Sequence, residues 1–214
     1  GMLAANLASG QSAALIASID KITLKHGRDG SGPSWFHPRP CLVPSKDGPV
    51  VFMTMQEIRG SDFFLPVHWI ESRDLGQTWS EPQPVPSLGR VPTTDGRGEE
   101  GVCDVVPQYH AKTGSVLAVG HNVFYKGPKF DRNQPARCPI YSVYKDGRWS
   151  ERKRLIWDDP RGANIYTNNC GQREVLEDGS IAFVMSFGAQ QTGRSAAGVR
   201  PQLSAAAWAA SRAN

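Results

Sequence analysis

A segment of about 65 residues occurs three times in this chain, and that repeat limits the folds open to it more than any other feature. Each copy is a polar turn ending in glycine, followed by an apolar strand. Cys41–Gly48 leads into Pro49–Thr54, Pro107–Gly114 into Ser115–Gly120, and Gln172–Gly179 into Ser180–Ser186. The turn glycines Gly48, Gly114 and Gly179 lie 66 and 65 residues apart. Glycine accepts the positive φ that tight hairpin turns require, so Asp-Gly and Thr-Gly between apolar runs predict hairpins. A second repeat runs in phase with the first. Trp79-Ser80-Glu81 and Trp149-Ser150-Glu151 follow the glycine-bearing turns Asp74–Gly76 and Asp146-Gly147. Two hairpins per period describe a four-stranded antiparallel blade. The fold class expected is all-β, a β-propeller with residues 50–54, 116–119 and 181–185 as strands at equivalent places in successive blades.

The boundaries follow from the period. Residues 1–34 form an N-terminal segment, 35–100 blade 1, 101–162 blade 2, 163–194 part of blade 3, and 195–214 an atypical alanine-rich tail. Closed propellers use roughly 4–8 blades, so 214 residues carry about three blades, and a second copy or further chain is expected to complete the ring. For the tail two readings stand: a short terminal helix, which alanine favours, or an altered reading frame.

Composition narrows the function classes. With 24 basic and 20 acidic residues the charge is +4, mixed along the chain; a nucleic-acid partner is not expected. The apolar run Leu3–Ile19 is broken by polar residues and reaches no membrane-spanning length, so no membrane partner is expected. Gly1 before Met2 reads as the remnant of a tag, and a secreted or periplasmic location follows only if an export signal was removed. Cys41, Cys103, Cys138 and Cys170 show no CxxC and no paired Cys/His spacing. That pattern predicts buried free thiols, with a disulfide as the alternative, and no structural zinc, no metal and no cofactor.

Ser72-Arg73-Asp74-Leu75-Gly76-Gln77-Thr78-Trp79 fits Ser-x-Asp-x-Gly-x-Thr-Trp, the Asp box, at every defined position. With this motif the chain resembles the sialidase (neuraminidase) superfamily of BNR-repeat propellers, six-bladed in the full family, and the resemblance covers its N-terminal portion. Ser72, Asp74, Gly76, Thr78 and Trp79 then have a structural role: the carboxylate accepts turn amides, glycine allows positive φ, and tryptophan fills the gap between strands. Residues 142–149 look like a degenerate copy.

The resemblance also implies a site. Sialidases grip the substrate carboxylate with arginines, whose planar fork matches it; Arg39, in His37-Pro38-Arg39-Pro40-Cys41, matches the first of these. Asp62, 23 residues later in Gly60-Ser61-Asp62-Phe63-Phe64, matches the general acid/base, and two flanking phenylalanines would desolvate it and raise its pKa. Asp104 occupies the counterpart of the Arg39 stretch in the second repeat, and Arg173 that in the third; both are expected to bind substrate. His68, His110 and His121 read as packing or rim residues. The family's tyrosine nucleophile, its glutamate and two further arginines come from later blades, and no tyrosine here matches.

The expected function is therefore the N-terminal half of a sialidase-like glycoside hydrolase, its partner an acidic sugar or glycan. A non-catalytic carbohydrate-binding or scaffold propeller is the first alternative. A propeller polysaccharide lyase acting on uronates is the second, resting on Tyr109-His110.

Overall fold

The computed structural model describes residues 16, 18–25, 32–60, 62–132, 134, 135, 137–155, 164–166, 173–188 and 204–210, the side chains of 164–166, 184–188 and 204–210 excepted. The described residues form three antiparallel sheets and no α-helix. The first sheet is β1 (Ser34–Val43), β2 (Val50–Ile58), β3 (Phe64–Ser72) and β4 (Gln83–Pro84), in that order. A 3-10 turn, Pro86–Leu88, leads to the second. Its central strands are β6 (Glu99–His110), β7 (Ser115–Lys126) and β9 (Pro139–Lys145), flanked by β5 (Val91–Pro92) and β10 (Arg148–Trp149). β8 (Lys129–Phe130) pairs with β7, and β11 (Lys153–Arg154) with β9. The third sheet contains β12 (Asn164–Tyr166), β13 (Arg173–Val175), β14 (Ile181–Gly188) and β15 (Ser204–Ala210).

Residues 50–54, 116–119 and 181–185 are all strand, each second in its hairpin, as the repeat predicts. Gly48, Gly114 and Gly179 take φ of +106°, +63° and +80° at the three turns. The tail departs from expectation. Instead of a terminal helix, Ser204–Ala210 pairs with β14 over its whole length, Ile181 opposite Ala210 and Phe187 opposite Ser204. Helix propensity is a weak prior, and the open edge of β14 supplies backbone partners that outweigh it.

Sheets stack face to face. Val67, Val85, Leu88, Val102, Val105, Ala118 and Ile140 are buried between the first and second sheets. Removing that apolar area from water, at about 25 cal/mol per Å², is what the alternating strand pattern provides for. Phe183 and Val119 begin the equivalent layer between the second and third. Arg173, Lys112 and His110 add polar ties across the same gap. His110 Nε2 lies 2.8 Å from the Gly179 carbonyl oxygen, and Lys112 Nζ donates to the Asp178 carbonyl at 2.6 Å.

The Asp box is closed as its sequence demands. The Asp74 carboxylate accepts hydrogen bonds from Ser72 Oγ (2.8 Å), the Thr78 amide (2.8 Å) and Thr78 Oγ1 (2.6 Å). Those donors pull its pKa down to about 2. Gly76 has φ +96°, and its carbonyl accepts Trp79 Nε1 at 2.9 Å. Trp79 then packs against the layer of Met53, Met55 and Ile70. The degenerate copy keeps the lock that ends the motif. Ser80 and Glu71 exchange Ser80 N–H to Glu71 O (2.9 Å) and Glu71 N–H to Ser80 Oγ (3.0 Å). Ser150 and Val143 make the same pair at 2.8 and 3.0 Å. The second turn is two residues shorter, with φ of +49° at Asp146 and +78° at Gly147.

Candidate functional site

Because neighbouring strands run antiparallel, the start of β1, the β2–β3 loop and the first half of β6 come to one end of the stack. The Asp box and the repeat turns lie at the other. At the first end two backbone irregularities face each other. β1 and β2 slip register between Phe36 and Arg39, where His37 has φ +49°; β6 and β7 slip between Cys103 and Val106, where Asp104 has φ +53°. Left-handed backbone at a residue with a side chain costs roughly 1–3 kcal/mol and persists where the surroundings hold it. Here β2 holds it. Thr54 Oγ1 donates to the Val105 carbonyl (2.8 Å) and Gln56 Nε2 to the Val102 carbonyl (2.7 Å), one on each side of the second bulge.

The bulges decide where side chains point. In a regular strand, consecutive residues face opposite sides of the sheet. The left-handed turn at Asp104 instead swings its carboxylate to the side occupied by Cys103, whose Sγ is 4.0 Å from Asp104 Oδ2. Cys103 stands opposite His121 in the ladder, and Sγ lies 3.2 Å from His121 Nε2. The same nitrogen is 3.9 Å from Asp104 Oδ2. From the first sheet, His37 Nδ1 comes within 2.9 Å of Asp104 Oδ1. Cys103, Asp104 and His121 are 2%, 7% and 2% exposed. Burial pushes the Asp104 carboxyl up, but contact with His37 and the charges of His37, His121 and Arg39 together hold it below the usual range.

Arg39 is half-buried on β1, close enough for its charge to act on Asp104. Asp62 sits in the β2–β3 loop at the same end, with φ +57°, and is exposed. The flanking phenylalanines do not screen it as the sequence suggested, because both rings turn inward. Phe63 packs on Tyr125 and under the Arg90 guanidinium, 3.9 Å from the ring centre, while Phe64 is buried and stacks on His37. Arg90 also caps the Tyr125 ring at 3.8 Å and donates to the Phe64 carbonyl, so the loop is anchored at its far side. Burial, ahead of every other influence, pushes the Tyr125 hydroxyl up to about 12, and that hydroxyl accepts the Phe64 amide at 3.1 Å.

Arg173 is 8% exposed and turns into the gap between sheets. Its guanidinium donates to Gln108 Oε1 (2.7 Å) and to the carbonyls of Val106 (2.5 Å) and Leu117 (3.2 Å). Tyr109 and His110 lie at the Asp-box end, and His110 is tied to Thr113 Oγ1 (2.7 Å) and Gly179. His68 contacts the Pro66 carbonyl and the edge of Trp35. Cys41, Cys103 and Cys138 are thiols joined in no disulfide; burial pushes the Cys41 thiol up to about 11. Cys170 lies outside the described residues. Sequence reasoning missed His37 and the convergence on His121, since neither bulge is written in the strand pattern. The one available signal was that His and Asp enter left-handed backbone more readily than most residues.

Across solved structures, the chain superposes on the Hadza microbial sialidase Hz136 with a TM-score of 0.53 over 72% of its length, at 18% identity. The chain has a sialidase-like fold. It spans about a third, 32%, of that sialidase. No protein-family model matches the sequence, and no curated protein does. Within this fold the Ser72–Trp79 turn stands at the end of the stack opposite the His37–Asp104 contact.

Proposed function

We propose that this chain is the N-terminal part of a sialidase-like propeller that acts on glycans ending in an acidic sugar. The observation that carries the reading is that the β2–β3 loop bearing Asp62 and the β1 segment bearing Arg39 share one end of the stack. In this reading Arg39 pairs with the sugar carboxylate, in the fork geometry that guanidinium offers. Asp62, exposed at the rim of that end, serves as the acid/base. Asp104 meets the sugar only at the edge of its buried carboxylate, and its larger part is to hold Arg39 and His37 in place by charge. Arg173 acts at one remove, tying β13 to β6 and so fixing the spacing of the inner strands.

Turnover requires more than these groups. Nucleophile, acid and carboxylate clamp act as a unit, and losing one member often costs nearly as much as losing all. The 214 residues supply no tyrosine matching the family's nucleophile, so the chain alone is expected to bind an acidic sugar weakly, at about millimolar Kd for one exposed ion pair. The test is a fluorogenic sialoside assay paired with a binding titration. No release of fluorophore, with binding of sialic acid that Arg39→Ala abolishes and a neutral hexose does not reproduce, supports the reading. Equal binding by acidic and neutral sugars contradicts it.

A further inference from the structure

The cluster beneath the proposed sugar face has a geometry of its own. Cys103 Sγ, Asp104 Oδ2 and His121 Nε2 lie within 4.8 Å of one another, and all three residues are buried. The three separations are 3.2, 3.9 and 4.0 Å. A tetrahedral zinc with bonds of about 2.0–2.3 Å places its donor atoms roughly 3.3–3.6 Å apart. The cluster approaches one face of such a tetrahedron, with the two separations to Asp104 longer by a few tenths of an ångström.

Two other readings of Cys, His and Asp in contact fit less well. In a nucleophilic triad the carboxylate orients the imidazole from its second nitrogen, leaving the first for the thiol. Here both the thiol and the carboxylate meet the same nitrogen, Nε2. A nucleophile must also be reached by its substrate, and Cys103 is 2% exposed. Inert packing of a buried thiol accounts for Cys103 alone. It does not account for the left-handed backbone that brings the next residue's carboxylate to the same side of the strand.

We propose that Cys103, Asp104 and His121 bind a divalent transition metal, Zn2+ by the softness of the donor set, with a fourth position left to water or a substrate oxygen. Binding converts the Cys103 thiol to thiolate and releases its proton to solvent. Asp104 ligates through Oδ2, and its other oxygen lies 2.9 Å from His37 Nδ1. Carboxylate ligands are oriented by such outer partners, whose loss typically weakens metal affinity by about 10–100-fold. The proposal shares Asp104 with the acidic-sugar reading but does not rest on it, because neither Arg39 nor Asp62 is a ligand.

The test is titration of the chelator-treated, reduced 214-residue chain with Co2+, followed by competition with Zn2+. One Co2+ per chain is expected, with a thiolate-to-cobalt charge-transfer band and the strong visible bands of tetrahedral cobalt, both bleached by Zn2+. Cys103→Ser and His121→Ala should abolish the charge-transfer spectrum, and His37→Ala should weaken Zn2+ binding by about 10–100-fold. Folding is controlled by a triple variant, Cys41→Ser, Cys138→Ser and Cys170→Ser, which retains Cys103 as the sole thiol and should keep the band. Absence of Co2+ uptake by the wild-type chain, or loss of the band in the folded triple variant, would overturn the proposal. Sugar binding is not read in this experiment, so its outcome leaves the acidic-sugar reading to its own test.

Discussion

His37 and Asp104 stand 67 residues apart, at the same bulge of successive sheets, with side chains 2.9 Å apart. The repeat thus reproduces a strained backbone position as well as strands and turns. It also uses the two copies as partners: one supplies a base, the other an acid, across the gap between sheets. The surrounding bonds explain why the strain persists, and they define what should happen when each is removed.

Thr54 reaches across that gap to the Val105 carbonyl. Thr54→Val keeps shape and removes the donor, leaving a buried carbonyl beside the Asp104 bulge. A loss of about 1–3 kcal/mol in urea unfolding is expected. An unchanged midpoint would show that the bulge does not depend on β2.

Arg173 gives the clearest separation of structural from binding roles. Arg173→Met removes donors to Gln108, Val106 and Leu117, and should destabilise the chain by about 2–4 kcal/mol, as truncation of a buried charged hydrogen-bonding group does. Sugar affinity of the folded fraction should change little. A binding loss with an unchanged melting temperature would put Arg173 in the sugar site.

Asp74 carries a pH signature. Its folded pKa is about 2 against an ordinary value of 3.8, so the carboxylate contributes stability that is fully present above about pH 4. That stability is lost as pH falls through about 2. The melting temperature of the wild type should therefore drop more steeply than that of Asp74→Asn below pH 4, with the two curves converging near pH 2. Parallel curves would contradict the role given to the box.

How legible this was in the sequence depended on which physical rule wrote each feature. The turns were legible because positive φ selects glycine, as at Gly48, Gly114 and Gly179. The Asp box was legible because four hydrogen-bonding roles need four particular residue types within eight positions. Its shortened copy at Ser142–Trp149 kept the Ser150 lock, which is why the Trp-Ser-Glu repeat could be seen at all. Arg173 and Asp62 were harder. An arginine in a repeat position does not announce whether its guanidinium faces a ligand or the carbonyls of a neighbouring sheet. Nor do two flanking phenylalanines announce which way they turn; Arg90, 26 residues on from Phe64, draws them inward. The Cys103–His121–Asp104 cluster was not legible from spacing, since its ligands meet through a ladder pair and a bulge.

One measurement addresses most directly the claim that the His37–Asp104 end, and not the Asp-box end, is the sugar face. Backbone amide shifts of the isotope-labelled chain would be followed during titration with sialic acid. The account predicts the largest shifts in residues 35–43, 59–64 and 101–104, with residues 72–80 unmoved. Largest shifts at 72–80 and 110–115, with the Arg39 and Asp62 amides still, would contradict it.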